Sequence, residues 1–337
     1  MLGRRRTPPP GGESCRLIIP RLRAHALGIA AGIAAALIFG GGAVVSRHLV
    51  TADLDPADLT LLRYLGCFPL ALAVGLARPD MVRLELPWRR LGVLLVLGGP
   101  PYHLLLITGY LHATSGGGAL LVTGLLPVFA IAIVLPLTGR LPPPAALVGA
   151  ALTLAGMIVF GGLASEQAFS PLAMAIFSVA ALTWALLNHC VGLWRVDPLR
   201  LTVALALWSP LFLPAYLLLR PWHGLPPMSA DLLLQLCYHG WLVAFGATML
   251  CFTSVRLAGP QWAAALLSLT PVCAGVLGAA LLSEPLGLLQ LAGTGLTVVG
   301  VAMIGIGNGR VAVPLGPSSY RTAASKLGAL SALDDNK

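Results

Sequence analysis

The sequence predicts an all-α polytopic membrane protein with ten transmembrane helices in two inverted five-helix repeats. Three observations predict it. First, 57% of the 337 residues are hydrophobic and only 10% are charged, with a mean hydropathy of +0.88. A soluble domain carries about 25% charge and would have no polar cover for such a chain. Second, the chain repeats itself. Ala119–Gly162 slides onto Ala263–Ile306 at an offset of 144 residues, so that Pro127 meets Pro271, Gly149 meets Gly293, Gly156 meets Gly300 and Gly161 meets Gly305. Matched leucines mean little in an apolar chain, but matched prolines and glycines each repeat a backbone requirement. Third, the cations fall in alternate connections, which is the signature of a chain threading a bilayer.

The elements follow in order. Residues 1–23 are a basic, Pro-rich arm, expected to be disordered and cytoplasmic. Its arginines precede an apolar run too long for a signal-peptide core, so that run is kept as the first span. Ten apolar runs of spanning length follow: Ala24–Val45, Leu59–Ala77, Leu91–Leu111, Gly116–Leu137, Ala145–Leu163, Leu172–Leu193, Leu201–Leu219, Cys237–Leu257, Trp262–Leu282 and Leu286–Ile306. The runs are unbroken rather than alternating, which favours helices over barrel strands. Residues 24–163 make the first repeat, 171–306 the second, and 307–337 a cytoplasmic tail.

With the amino terminus inside, Arg4, Arg5, Arg6, Arg16, Arg21 and Arg23 are cytoplasmic. So are Arg78, Arg83, Arg89, Arg90, Arg140, Arg195, Arg200, Arg256, Arg310, Arg321, Lys326 and Lys337. Only Arg47 and Arg220 fall outside, and Arg63 lies within a helix. The net charge of +9 is therefore a topology signal with some attraction to anionic lipid, not a nucleic-acid footprint. Five helices per repeat is an odd number, so the second copy enters the bilayer upside down. Arg140 falls inside and its counterpart Glu284 outside, as that inversion requires. Asp55-Pro56 and Asp197-Pro198 echo each other at a slightly different offset.

The stretches "IFGGGAVVSRHLVTADLDPADLTLLRY" and "GYLHATSGGGALLVTGLLPVFA" in one half, and "SLTP…LLSEPL…GTGLTVVG" in the other, resemble the EamA-like branch of the drug/metabolite transporter superfamily. The resemblance covers about Ala24–Ile306. It implies an inner-membrane carrier of small metabolites such as amino acids or related compounds, or of toxic compounds, working by alternating access around a mid-membrane cavity. Where such proteins often have Glu-Arg after the fourth helix, this chain has Gly139-Arg140, and the acid survives only as Glu284.

Polar groups at membrane depth are the candidate site residues. Arg63 either draws in a carboxylate or snorkels to the interface. His103 binds the solute or is satisfied by a nearby carbonyl. Asn188, His189 and His239 are candidates for interhelical hydrogen bonds. The resemblance places Trp184 on the path; Tyr102, Tyr110 and Trp208 either stack on the solute or belong to interfacial belts, and Trp262, at the inner boundary, reads as a belt residue. Pro127 and Pro271 read as paired mid-helix kinks that shape gates, or as packing kinks. The repeated glycines read mainly as close-packing faces, and Gly40-Gly41-Gly42 as either a flexible point or packing. Glu284 is a coupling acid or a helix boundary.

The cysteines show no CxxC spacing, and HExxH, GxSxG and Walker patterns are absent. The expectation is a secondary active carrier, an exporter, with no cofactor and no metal; the alternatives are an intramembrane protease or acyltransferase using His103 or His189 with a nearby Ser or Cys, and a non-transporting membrane scaffold. Its expected partners are a small-molecule solute, the lipid bilayer and, as a candidate, a second copy of the chain.

Overall fold

The computed structural model describes residues 12–82, 86–139, 141–162, 170–219, 229–258 and 260–310. Helices dominate them, and no β-strand occurs among them. We number the segments α1 (Gly12–Thr51), α2 (Pro56–Ala77), α3 (Trp88–Gly98 and Pro100–Gly109), α4 (Ser115–Thr138) and α5 (Pro144–Gly162). They continue as α6 (Pro171–Trp194), α7 (Pro198–Trp208, a 3-10 turn over Ser209–Phe212, then Leu213–Leu219), α8 (Ala230–Ala258), α9 (Pro260–Leu267 and Thr270–Leu282) and α10 (Leu288–Arg310).

Among the described residues, nine helices are long and apolar enough to cross a membrane, and the apolar part of α5, Pro144–Phe160, is shorter. Exposed apolar side chains such as Leu72, Val96, Ile158, Val179, Val276 and Val299 cover the outside of six helices. Such a surface suits hydrocarbon, not water. One expectation changes: α1 starts at Gly12, so helix covers the second part of the arm read as disordered. Residues 1–11, Arg140, Arg220 and the tail beyond Arg310 lie outside the described residues.

Sequence devices set the helix ends. Asp55 accepts a hydrogen bond from the Ala57 amide (2.7 Å) and Asp197 from the Arg200 amide (2.9 Å), each just before a proline that opens its helix. Two residues earlier, Asp53 (φ 59°) and Arg195 (φ 51°) are both left-handed, so the echo between the repeats extends to the backbone. The fourth and ninth helices likewise both end on a left-handed residue, Gly139 (φ 65°) and Ser283 (φ 54°).

Helices consecutive in sequence run in opposite directions, whereas α1 and α9, and α2 and α8, pack side by side in the same direction. At one end of the bundle, Arg47 of α1 meets Tyr110 beyond α3 and Glu284 beyond α9, while Tyr216 of α7 donates to Asp58 of α2 (2.5 Å). At the other end, the His25 ring of α1 edges against Trp262 of α9 (5.7 Å), and Arg90 of α3 lies over Trp194 of α6 (5.4 Å). The largest core cluster gathers Leu49, Leu59, Ile107, Leu120 and Phe177 from α1, α2, α3, α4 and α6.

The repeated glycines meet one another. A methyl group added at Gly149 would stand 2.6 Å from the Gly300 carbonyl oxygen and 2.9 Å from the Ile304 amide nitrogen. One added at Gly293 would stand 2.6 Å from the Gly156 oxygen and 2.6 Å from the Phe160 nitrogen. Exchanging each residue for its counterpart 144 positions away in the other repeat turns the first pairing into the second. Thr153 and Thr297, themselves 144 apart, face each other between these contacts, with the Thr297 hydroxyl 3.4 Å from the Thr153 carbonyl. So α5 and α10 pack antiparallel, with backbones in direct contact. Gly40-Gly41-Gly42 works the same way: α1 stays helical through it, and the bare faces admit Cys273 and Ala274 of α9 and Tyr238 and Val243 of α8.

The two prolines are not equivalent. Pro127 lies inside the continuous α4. Pro271 is not at mid-helix: α9 breaks after Leu267, and Thr270-Pro271 opens its second piece. A proline at the first turn loses no helical hydrogen bond, so the break is compatible with its ring.

Candidate functional site

The polar side chains inside the bundle converge on one place. Arg63 stands two turns into α2, roughly 10 Å from the helix start. Tyr102 and His103 sit on the second piece of α3, which restarts at Pro100 after the extended Gly99. That break is written in "GGPP", where the prolines fit only the first turn of a new helix. Trp184 comes from the middle of α6 and His239 from α8. The first half thus supplies Arg63, Tyr102 and His103, and the second half Trp184 and His239.

Ring geometry ties them together. Tyr102 stacks at a tilt on Trp184 (4.8 Å between centroids), and His103 lies 5.7 Å from His239 and 6.4 Å from Tyr64. The Arg63 guanidinium lies 5.9 Å from the Tyr64 ring, and a methyl group on Gly240, the residue after His239, would stand 3.1 Å from the Arg63 carbonyl oxygen. His103 and His239 are buried, whereas Arg63, Tyr64, Tyr102 and Trp184 are half-buried in spite of their central position. Four buried polar atoms here have no protein partner: Arg63 Nε, His103 Nε2, His239 Nδ1 and Gln235 Oε1. Buried polar groups are normally bonded, so such a concentration marks a place shaped for something else.

The α8 side chains are held by the first half. Gln235 donates to the Leu59 carbonyl of α2 (2.6 Å), and His239 Nε2 lies 3.1 Å from the Gly42 carbonyl and 3.1 Å from the Ser46 hydroxyl of α1. Gln235–Ala247 is a π-helical stretch, a form found mostly at functional places. Close approach of α2 and α8 depends on Gly66 and Gly240, since a methyl group on Gly66 would stand 2.6 Å from the Leu236 carbonyl oxygen.

Of the residues the sequence singles out, Arg63, Tyr102, His103 and Trp184 come together. Asn188, one turn beyond Trp184, is exposed and stands apart from the cluster. Glu284 belongs to a separate network at one end of the bundle. Both of its carboxylate oxygens accept from the Ser115 amide (3.0 Å each), and Arg47 Nε stands 3.7 Å away while Arg47 Nη1 donates to the Tyr110 carbonyl (2.6 Å). Pro127 and Pro271 lie on α4 and α9, outside the Arg63 cluster. Sequence reasoning missed Gln235, Tyr64 and Ser46. An available signal was the amide at 235 four residues before a histidine in an apolar run.

An arginine, two imidazoles and an aromatic wall can bind an organic solute that has an anionic group and a flat or apolar part. Among the described residues, no group of three or more His, Cys, Asp or Glu is placed to hold a metal ion.

Comparisons with known proteins agree with this architecture. No curated protein matches the chain. A crystal structure described only as that of a protein covers 86% of this chain with 99% of its own length, at 20% identity and a TM-score of 0.59, a likeness of fold. The profile of the EamA-like transporter family matches twice, over residues 26–162 and 169–306, which are the two halves that supply the site. The chain belongs to the EamA-like transporter family.

Proposed function

We propose that this protein is a secondary active transporter, an exporter of small metabolites such as amino acids or related compounds. It works by alternating access around the Arg63–Tyr102–His103–Trp184–His239 site. The observation that carries the reading is that cluster itself: polar and aromatic side chains from both repeats, brought together deep in an apolar bundle where each is costly unless used. Asn188 is kept as a candidate contact for a solute entering from its side, Pro127 and the Pro271 break as flexing points of the gates, and Glu284 as a candidate coupling acid.

In this reading the chain crosses the inner (plasma) membrane ten times, with both termini cytoplasmic. At 19 residues α5 is roughly 28 Å long, enough for a tenth span. Antiparallel exchange of the glycine contacts between α5 and α10 supports two inverted repeats. The gathering of Arg78, Arg89, Arg90, Arg195, Arg200 and Arg256 at one end supports its cytoplasmic placement. Partners are the solute, the lipid bilayer and, as a candidate, a second copy of the chain, with no nucleic acid.

No catalytic role is proposed. The Ser46 hydroxyl donates to the Gly42 carbonyl (2.8 Å), and the Gly42 oxygen can only accept from His239 Nε2. That nitrogen therefore carries the proton and cannot act as the base for Ser46. Flux in proteoliposomes tests the function. Saturable counterflow of a metabolite, lost in Arg63→Gln, is expected, and no flux across a broad metabolite panel would overturn the reading. Accessibility tagging tests the inversion, with positions 140 and 284 expected on opposite sides.

A further inference from the structure

Two carbonyl groups of the first half determine the polarity of α8. Backbone oxygens only accept. The Gln235 atom at 2.6 Å from the Leu59 oxygen is therefore its amide nitrogen, and its Oε1 is left as a free acceptor. His239 Nε2 carries a hydrogen toward the Gly42 oxygen, so in the neutral ring Nδ1 is left as a bare lone pair. Gln235 is fully buried and His239 is 3% exposed. Four residues apart in an i→i+5 stretch is nearly a full turn, so the two share a face of α8. That face lies against the helix carrying Arg63, because Leu59 is one turn before Arg63, and a methyl group on Gly240, the residue after His239, would stand 3.1 Å from the Arg63 carbonyl oxygen. Arg63 Nε, on α2, is likewise a buried donor without a protein partner.

We infer that Gln235 Oε1 and His239 Nδ1 form an acceptor pole that takes the ammonium of an amino acid whose carboxylate lies on Arg63. The inference rests on the proposed transport reading and deepens it, because it assigns the specificity for a zwitterion to two named residues of the second half. Both acceptors are neutral. A carboxylate–ammonium pair therefore leaves the charge of the site as it was, carried by Arg63 alone. A simple acid leaves the acceptors unpaired, and a simple amine leaves Arg63 unpaired and brings a second cation beside it. Unpaired buried polar groups are what make such sites reject truncated analogues. The Tyr102–Trp184 stack provides the wall for the side chain of the solute.

The test uses the purified full-length chain in detergent and two matched sets of probes. One set is L-phenylalanine, 3-phenylpropanoate and 2-phenylethylamine. The other is L-leucine, 4-methylpentanoate and 3-methylbutylamine. Titration calorimetry is expected to show one of the amino acids bound at least about tenfold tighter than both of its analogues. Gln235→Met and His239→Gln should each erase most of the preference over the acid while keeping affinity for the acid itself. His239→Gln keeps a donor for Gly42, and thermal unfolding of each variant shows whether it is folded.

Equal affinity for acid and amino acid overturns the acceptor pole, as does the absence of binding by both amino acids. Flux measured in parallel separates the two claims. Selective binding without flux would sink the transport reading and leave the pole standing. Flux of the acid equal to that of the amino acid would do the reverse.

Discussion

Glu284→Gln isolates one contact between the halves. Ser115 is the first residue of α4, so its amide has no partner within the helix and depends on the Glu284 carboxylate. Glutamine keeps one acceptor oxygen but turns an NH2 toward a donor and removes the charge. A hydrogen bond to a charged group is worth about 1.5–3 kcal/mol and a neutral one about 0.5–1.5, so the loss is roughly 1–2 kcal/mol. Arg47 adds little to this, since it stands 3.7 Å away and is 26% exposed, and a partly exposed pair contributes roughly 1 kcal/mol or less. A loss of about 1–2 kcal/mol multiplies the open population of this contact about five- to thirtyfold. Hydrogen exchange of peptides spanning His112–Leu120 reads that population at the Ser115 amide, and exchange should accelerate by about the same factor in Glu284→Gln. Unchanged protection would refute the reasoning, because it would mean that the amide is held by something other than the carboxylate.

Further outcomes follow from other contacts. Gly156→Leu should abolish accumulation of folded protein, since even a methyl group there would stand 2.6 Å from the Gly293 carbonyl oxygen, whereas Gly295→Ala, with open space around it, should be tolerated; detergent-stable yield checks both. Asp197→Ala removes the cap of α7 and should lower stability by about 1 kcal/mol, read as a lower unfolding temperature without loss of the fold. Trp184→Ala removes the partner of Tyr102 and should weaken solute binding about tenfold while leaving the selectivity for the ammonium group intact, as measured by titration with the same probes. Arg63→Gln should abolish carboxylate-dependent binding in that assay.

Much of the fold was legible because hydrocarbon imposes simple demands. Long apolar runs, Asp-Pro caps and the "GGPP" break translate directly into helices, starts and a restart. The glycine repeat was legible as a packing face, but its pairing was not, since spacing along one helix says nothing about which helix lies opposite. Pro127 and Pro271 show the limit of symmetry: equivalent in sequence, one sits within a continuous helix and the other opens a new one after Leu269. Within the site, Arg63, Tyr102, His103 and Trp184 stood out because ionisable and aromatic groups are conspicuous among leucines. Asn188 stood out for the same reason and faces elsewhere, because polarity alone gives no direction around a helix. Gln235 was passed over beside the more conspicuous His239, and the π-helical turn that aligns the two has no signature in composition.

The α5–α10 seam is its own complement: what Gly149 finds in Gly300, Gly293 finds in Gly156. In a pair of identical five-helix chains, one substitution would strike both places at once. Joined in a single chain, each place can change by itself. Phe160 now fills one end where Ile304 fills the other, and an arginine stands at position 140 where position 284 keeps its acid. Two halves within one chain thus need not be copies of each other, and a transporter with unlike faces is open to them.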